Sequence, residues 1–287
     1  MNPNVKAFFD EATNTVTYVV SDPSGSLCAI IDPVLDFDQA SGRTSTDSAD
    51  EVIKFINANK YQVAWILETH AHADHLTAAQ YLKEKTGGST GVGRHITETQ
   101  QVFMDVFNLG GGFSADGRQF DRLLDDGEVL EVGSLKIRVM HTPGHTQDCV
   151  TYLVGDAAFV GDTLFMPDFG TARVDFPGGD AATLYRSIQR IYQLPEWTRL
   201  FMCHDYKAPG RDEYAWQTTV AKQRAENIHI RDGVSEQDFV EFRTGRDATL
   251  GMPKLILPSI QVNIRAGHMP PADDNGVVYL KLPVNTL

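Results

Sequence analysis

The chain is short of cysteine, of cations and of long apolar runs, and each shortage excludes something. Of 287 residues only Cys28, Cys149 and Cys203 are cysteines. Three thiols at such wide spacing make no disulfide framework, which points to a reducing compartment. No segment approaches the ~18 consecutive apolar residues of a membrane span. The start, Met1-Asn2-Pro3-Asn4-Val5-Lys6, has no basic region leading into an apolar run, so a cytoplasmic enzyme with no membrane partner is expected. Lysine and arginine number 25 against 38 aspartates and glutamates, a formal net charge of -13. Phosphate backbones need a basic surface, so nucleic acid is excluded as a partner. An anionic substrate would need a local basic pocket. Repeats and low-complexity segments are also missing. Triple glycine Gly110-Gly111-Gly112 has no following Lys-Ser/Thr and does not join a strand to a helix, so it reads as a flexible loop rather than a phosphate cradle.

What is present is concentrated in Thr69-His70-Ala71-His72-Ala73-Asp74-His75. Four potential metal ligands fall within six residues. The apolar run Val63–Leu67 before them has the length of a buried strand. Leu76–Leu82 after them reads as a helix, with Leu76, Ala79 and Leu82 on one face and Gly87 as its stop. Residues two apart in an extended segment point the same way, so His70 and His72 can reach one point. Asp74 and His75 would then sit at the helix N-terminus, where the helix dipole favours a carboxylate. Imidazole with carboxylate suits zinc, iron or manganese, and the lack of thiolate argues against a zinc-finger-type site.

The remaining chemistry lies at the ends of other expected strands. Thr15–Val20 and Leu27–Ile31, joined by the turn Asp22-Pro23-Ser24-Gly25, form a hairpin with Asp32 at its tip. Lys136–Met140 runs into His141-Thr142-Pro143-Gly144-His145. Val150–Val154 and Ala157–Asp162 form a second hairpin about Gly155-Asp156. Leu200–Cys203 ends in His204-Asp205-Tyr206. Strand ends along one sheet edge converge, and that edge is where layered α/β folds bind ligands. His70, His72, His75, His145 and His204, with Asp74 and Asp162, therefore suggest one shared site. His95, His229 and His268 read as surface or structural, and His141 as a support for the Pro143-Gly144 turn. Cys149 and Cys203 read as buried and without a role.

Helices are expected from capping boxes at Ser48–Glu51 and Thr97–Gln100, and over 180–193, 213–227 and 235–242, with Phe239 and Phe242 as anchors of the last. Leu255–Ile264 is apolar and interrupted by Pro258. Residues 211–287 fit a C-terminal extension docked on a main body of residues 1–210.

The order His70-x-His72-x-Asp74-His75, His145, Asp162, His204 resembles the metallo-β-lactamase superfamily over about residues 15–206. This implies an α/β fold, an αββα four-layer sandwich with metal at one edge and here a C-terminal helical extension. Thr142–Thr146, Gly161-Asp162-Thr163, Ala172-Arg173-Val174-Asp175, His204-Asp205-Tyr206 and Asn263–Gly267 further resemble the glutathione-dependent persulfide dioxygenases. That resemblance implies one Fe(II) per chain, held by His70, His145 and Asp162. Two histidines and a carboxylate leave three positions open, where the terminal sulfur of glutathione persulfide and O2 would meet, giving sulfite and glutathione. His72, Asp74, His75 and His204 would orient ligands, hold water or assist proton transfer. Arg173, Tyr206 and Arg265 are candidates for binding glutathione's carboxylates. The alternative is glyoxalase II, in which Asp74, His75, Asp162 and His204 would hold a second metal for thioester hydrolysis; a third is a non-catalytic sulfane-sulfur sensor. The oligomeric state is open, a homodimer included.

Overall fold

The computed structural model describes residues 1–286. Two six-stranded sheets face each other. In the first, Asn4–Asp10, Thr15–Ser21 and Leu27–Ile31 are antiparallel, and Gln62–Leu67, Ser89–Gly93 and Arg122–Leu124 continue it in parallel. The second runs Val129–Val132, Leu135–His141, Val150–Val154, Ala157–Phe159, Arg199–Phe201, Gln217–Thr219, with one parallel pair, Ala157–Phe159 beside Arg199–Phe201. A small third sheet joins Arg43–Ser45, Val34–Asp38 and Leu76–Thr77.

Burial follows from these runs. Tyr18, Ile31 and Leu67 from the first sheet meet Tyr152, Phe159 and Phe201 from the second in one apolar layer. Phe159 and Phe201 stack at 5.0 Å and Tyr18 meets both edge-on. Such pairs add about 0.5–1.5 kcal/mol each beyond area burial. The helices Asp47–Ala58 and Ala79–Thr86 cover the outer face of the first sheet through Val52, Ile56 and Leu82. Ala181–Tyr192 and Glu236–Asp247 cover the second through Leu184, Ile188, Ile191 and Phe239. The layers are therefore helix, sheet, sheet, helix, the α/β sandwich expected. None of the described helices is long and apolar enough to cross a membrane.

Several local expectations change. Leu76 and Thr77 are not helical; they pair as strand with Leu35 and Val34, and the helix begins at Ala79. Asp74 and His75 thus precede it by several residues and gain nothing from its dipole. Neither capping box forms: the helices start at Asp47 and Ile96, without a side-chain cap. Ser48 instead bonds the Asp36 carboxylate. The long helix expected over 213–227 shrinks to Val220–Glu226, because Gln217–Thr219 pairs with Arg199–Phe201 as the second sheet's last strand. Phe242 is exposed and anchors nothing in the core. The triple glycine forms a 3-10 turn. Pro258 sits in the first turn of the helix Ile256–Asn263, where a missing N–H costs no helical bond.

One turn fixes the approach to the site. Gly144 has φ +137°, and a Cβ there would lie 2.4 Å from the Leu184 backbone. Only glycine allows the chain to turn this close to the helix beneath, and His145 follows it directly. Gly144→Ala is expected to destabilise the fold by about 2–4 kcal/mol through backbone strain and overpacking, measurable by urea unfolding.

Candidate metal centre

The ligand loop Thr69–His75 is buried almost throughout, yet it has no regular structure. Its backbone groups are paired from three sides. Asp32, at φ +50° just past its strand, accepts from the Thr69 amide (2.7 Å) and hydroxyl (2.9 Å). Buried Asp148 accepts from the Ala71 amide (2.7 Å) and the Thr99 hydroxyl (2.6 Å). Asn263 donates to the carbonyls of His72 and His75 (2.8 Å each) and accepts from the Thr77 amide (2.8 Å). The Val150 amide and the Tyr152 hydroxyl bind the carbonyls of Thr69 and Glu68. A buried loop without such partners would lose about 1–3 kcal/mol per unpaired group.

The loop aims its imidazoles. His70 turns Nδ1 to the Thr69 hydroxyl (3.1 Å), and its Nε2 is left buried and unpartnered. His145 donates from Nδ1 to the Arg173 carbonyl (2.7 Å), which frees Nε2. These two nitrogens lie 3.9 and 3.6 Å from Oδ2 of Asp162, which stands in the 3-10 turn Gly161–Thr163 beyond its strand. With metal–ligand bonds of about 2.1 Å, octahedral and tetrahedral edges are about 3.0 and 3.4 Å. His70, His145 and Asp162 therefore fit a divalent ion once these separations close by about 0.2–0.9 Å, and Nε2 of His70 is a buried atom that makes no hydrogen bond.

A second group lies beside it. His204 Nε2 is 3.3 Å from Asp162 Oδ1 and 3.4 Å from Asp74 Oδ2. Thr15 bridges this group: its hydroxyl lies 3.2 Å from Asp74, 3.4 Å from His75 Nδ1 and 3.3 Å from His204 Nδ1. The Nε2 of His75 is buried and makes no hydrogen bond, and the His75 and His204 rings are 6.3 Å apart.

His72 behaves differently from its neighbours. Its Nε2 points away, donating to Asp32 (3.0 Å) and lying 3.2 Å from Glu68. Burial opposes its protonation, but Asp32 and Glu68 outweigh that and raise its pKa well above the ordinary value. Burial pushes Glu68 up, and it shares a short hydrogen bond with Thr77. His70, by contrast, is held neutral by burial and by its imidazole neighbours, the form a metal requires.

A cavity of about 440 Å³ opens on Asp74, His145 and Asp162. Tyr206 lines it in an aromatic wall with Phe165 and Phe169. Arg173 also lines it, but its fork is engaged by Asp175 (2.6 Å twice) and its Nη1 by the Gly251 carbonyl. Arg265 lines neither this cavity nor the one adjoining it. It is buried 4.6 Å over the Phe113 ring. Sequence reasoning did not find Asp32, Glu68, Asp148 and Asn263 as supports, nor Phe165, Phe169, His229, Arg243 and Arg246 in the cavity. Asp32 and Glu68 carried a signal, being carboxylates at the ends of apolar strands; Asn263 carried one only as part of the stretch Asn263–Gly267, with nothing in it to show that it braces the ligand loop. His141 does brace its turn, donating from Nε2 to the Gln147 carbonyl. His229 is structural, accepting at Nδ1 from the Thr171 amide, and also lines the cavity. All three thiols are buried, and burial raises the pKa of each, that of Cys28 to about 12.

A layered αββα fold with a histidine–aspartate metal centre at one sheet edge defines the class. The family model described as the metallo-beta-lactamase superfamily matches residues 11–204, and the chain belongs to that superfamily. It is 57% identical, over 99% of both chains, to a protein of Burkholderia pseudomallei (strain 1710b) named a probable metallo-hydrolase. It is 51% identical to a beta-lactamase hydrolase-like protein of Xylella fastidiosa, of which it spans 65%. It is 26% identical to the human mitochondrial persulfide dioxygenase ETHE1, over 93% of this chain and 90% of that one. Among solved structures, ETHE1 from Myxococcus xanthus aligns with a TM-score of 0.73 and 29% identity, covering 92% of this chain and 100% of that one.

Two outcomes follow from the geometry. Asn263→Ala removes three hydrogen bonds to the buried loop; it is expected to cost about 2–4 kcal/mol in urea unfolding and about 10–100-fold in metal affinity by competition with a chelating dye. Burial, with Arg243 and Arg246 nearby, pushes His229 down to about 4. Between that value and about 6.5 the unfolded chain binds a proton that the folded chain does not. Stability should therefore fall as pH drops through this window, and His229→Asn should flatten the slope in unfolding titrations from pH 7 to pH 4.5.

Proposed function

We propose that the protein is a persulfide dioxygenase, oxidising glutathione persulfide with O2 and water to sulfite and glutathione at one Fe(II) held by His70, His145 and Asp162. The observation that carries this reading is the convergence of two imidazole nitrogens and one carboxylate beside the cavity, where the buried Nε2 of His70 makes no hydrogen bond. Similarity over nearly the whole length of the ETHE1 proteins supports it. Ferrous iron in such a facial set offers open positions to sulfur and O2 and supplies the redox chemistry.

The chain's own residues do the rest. Thr69 and the Arg173 carbonyl hold His70 and His145 in the tautomer that presents Nε2. The Asp32–His72–Glu68 cluster turns the Nε2 of His72 away from the site. Phe165, Phe169 and Tyr206 offer a polarisable wall suited to sulfur. Asp74, His75 and His204, tied together by Thr15, stand within reach to orient water or carry a proton.

A second reading has its own observation. His204 and Asp74 gather around the other oxygen of Asp162, and a second ion there would suit a metallo-hydrolase of glutathione thioesters. Similarity to the proteins named persulfide dioxygenase ETHE1 favours the first reading. Elemental analysis with an oxygen electrode separates the two. The dioxygenase is expected to carry one iron per chain and to consume O2 with glutathione persulfide but not with a glutathione thioester. Two zincs per chain and thioester cleavage without O2 would overturn it.

A further inference from the structure

In a chain of net charge -13, an anionic substrate needs a local cation. Asp74 and Asp162, which line the cavity at the metal centre, are themselves anionic. The helix Glu236–Asp247 and the segment before it bring Arg243, Arg246 and His229 to the cavity. Arg243 and Arg246 are three residues apart and share a helix face.

The guanidinium groups there are not equivalent. Arg173 is spent on Asp175 and the Gly251 carbonyl. Arg243 is buried and spent on Asp247 (Nε 2.9 Å) and the Thr171 carbonyl (3.1 Å). Arg246 is exposed, and its hydrogen bond is to the Thr249 hydroxyl (3.0 Å). Among the described residues no carboxylate lies within ion-pair distance of it. Its neighbour Asp247 also accepts from the Val174 amide (2.8 Å). The buried Arg243–Asp247 pair thereby ties this helix turn to the loop whose Arg173 carbonyl holds His145. His229 adds a donor: its Nδ1 accepts from the Thr171 amide (3.0 Å), so the neutral ring carries its proton on Nε2.

We propose that Arg246 is the carboxylate-recognition residue of the cavity, binding one of the two carboxylates of a glutathione-type substrate by its guanidinium fork, with Arg243 and Asp247 as its positioning pair. A planar fork matches a carboxylate with two parallel hydrogen bonds. The proposal rests on the reading above for the choice of glutathione as the carboxylate ligand, while the carboxylate contact itself is testable apart from the sulfur chemistry.

The test begins with glutathione itself, titrated calorimetrically into the iron-loaded wild type, Arg246→Ala and Arg246→Lys. Arg246→Ala is expected to weaken binding by about 10–100-fold, as for loss of a charged hydrogen bond, and Arg246→Lys to recover part. With glutathione persulfide the loss should fall on KM rather than kcat, and should be smaller with an uncharged persulfide such as that of 2-mercaptoethanol. Equal glutathione affinity in wild type and Arg246→Ala overturns the assignment. So does an equal KM rise with the uncharged persulfide, or no glutathione binding by the wild type. If no persulfide drives O2 uptake while Arg246→Ala still weakens glutathione binding, the dioxygenase reading fails and the carboxylate subsite stands.

Discussion

The constraint on which the rest depends is that an irregular loop, Thr69–His75, is buried at the edge of the two sheets. Chain without helix or strand usually runs over the surface, because its amides and carbonyls need partners. Here Asp32, Asp148 and Asn263 provide them from three distant parts of the sequence. Once the backbone is held, the side chains have little freedom, and His70, His72 and His75 are aimed in different directions. Sequence spacing suggested that His70 and His72 reach one point. Their rings do pack 4.1 Å apart, but His72 spends its Nε2 on two buried carboxylates. The difference lies in Asp32 and Glu68, not in the histidine motif.

This explains what was legible and what was not. Strands such as Thr15–Ser21 and Gln62–Leu67 were readable because apolar, β-branched runs have few other places to go. The convergence of His70, His145, Asp162 and His204 was readable because strand ends on one edge meet. Helix starts were less so: Ser48 found Asp36, and Leu76–Thr77 found Val34–Leu35, partners that no local pattern encodes. Gln217–Thr219 became a strand because the second sheet still had an open edge at Arg199–Phe201, a tertiary fact. The cavity's cations were hidden for the same reason. Arg243 and Arg246 look like ordinary helix charges until the fold lays that helix beside the metal centre.

The electrostatics are arranged in the same graded way. At the cavity the acidic chain presents three guanidinium groups, two of them already paired with its own carboxylates. Such pairing stabilises the wall, while a cation without a carboxylate partner is the one with spare capacity for a ligand. The cavity thus brings together guanidinium groups, the aromatic rings of Phe165, Phe169 and Tyr206, and the carboxylates of the metal centre.

The Thr15 hydroxyl, set among Asp74, His75 and His204, belongs to the first sheet, while His204 ends a strand of the second; Val16 N–H donates to the Cys203 carbonyl at 2.8 Å beside it. His70 likewise comes from one sheet, and His145 and Asp162 from the other. An ion seated there is a rivet through both layers of the sandwich. Whatever holds the ion also holds the layers together, by simple mass action, so withdrawal of metal would register first as breathing between the sheets, long before either sheet itself came apart.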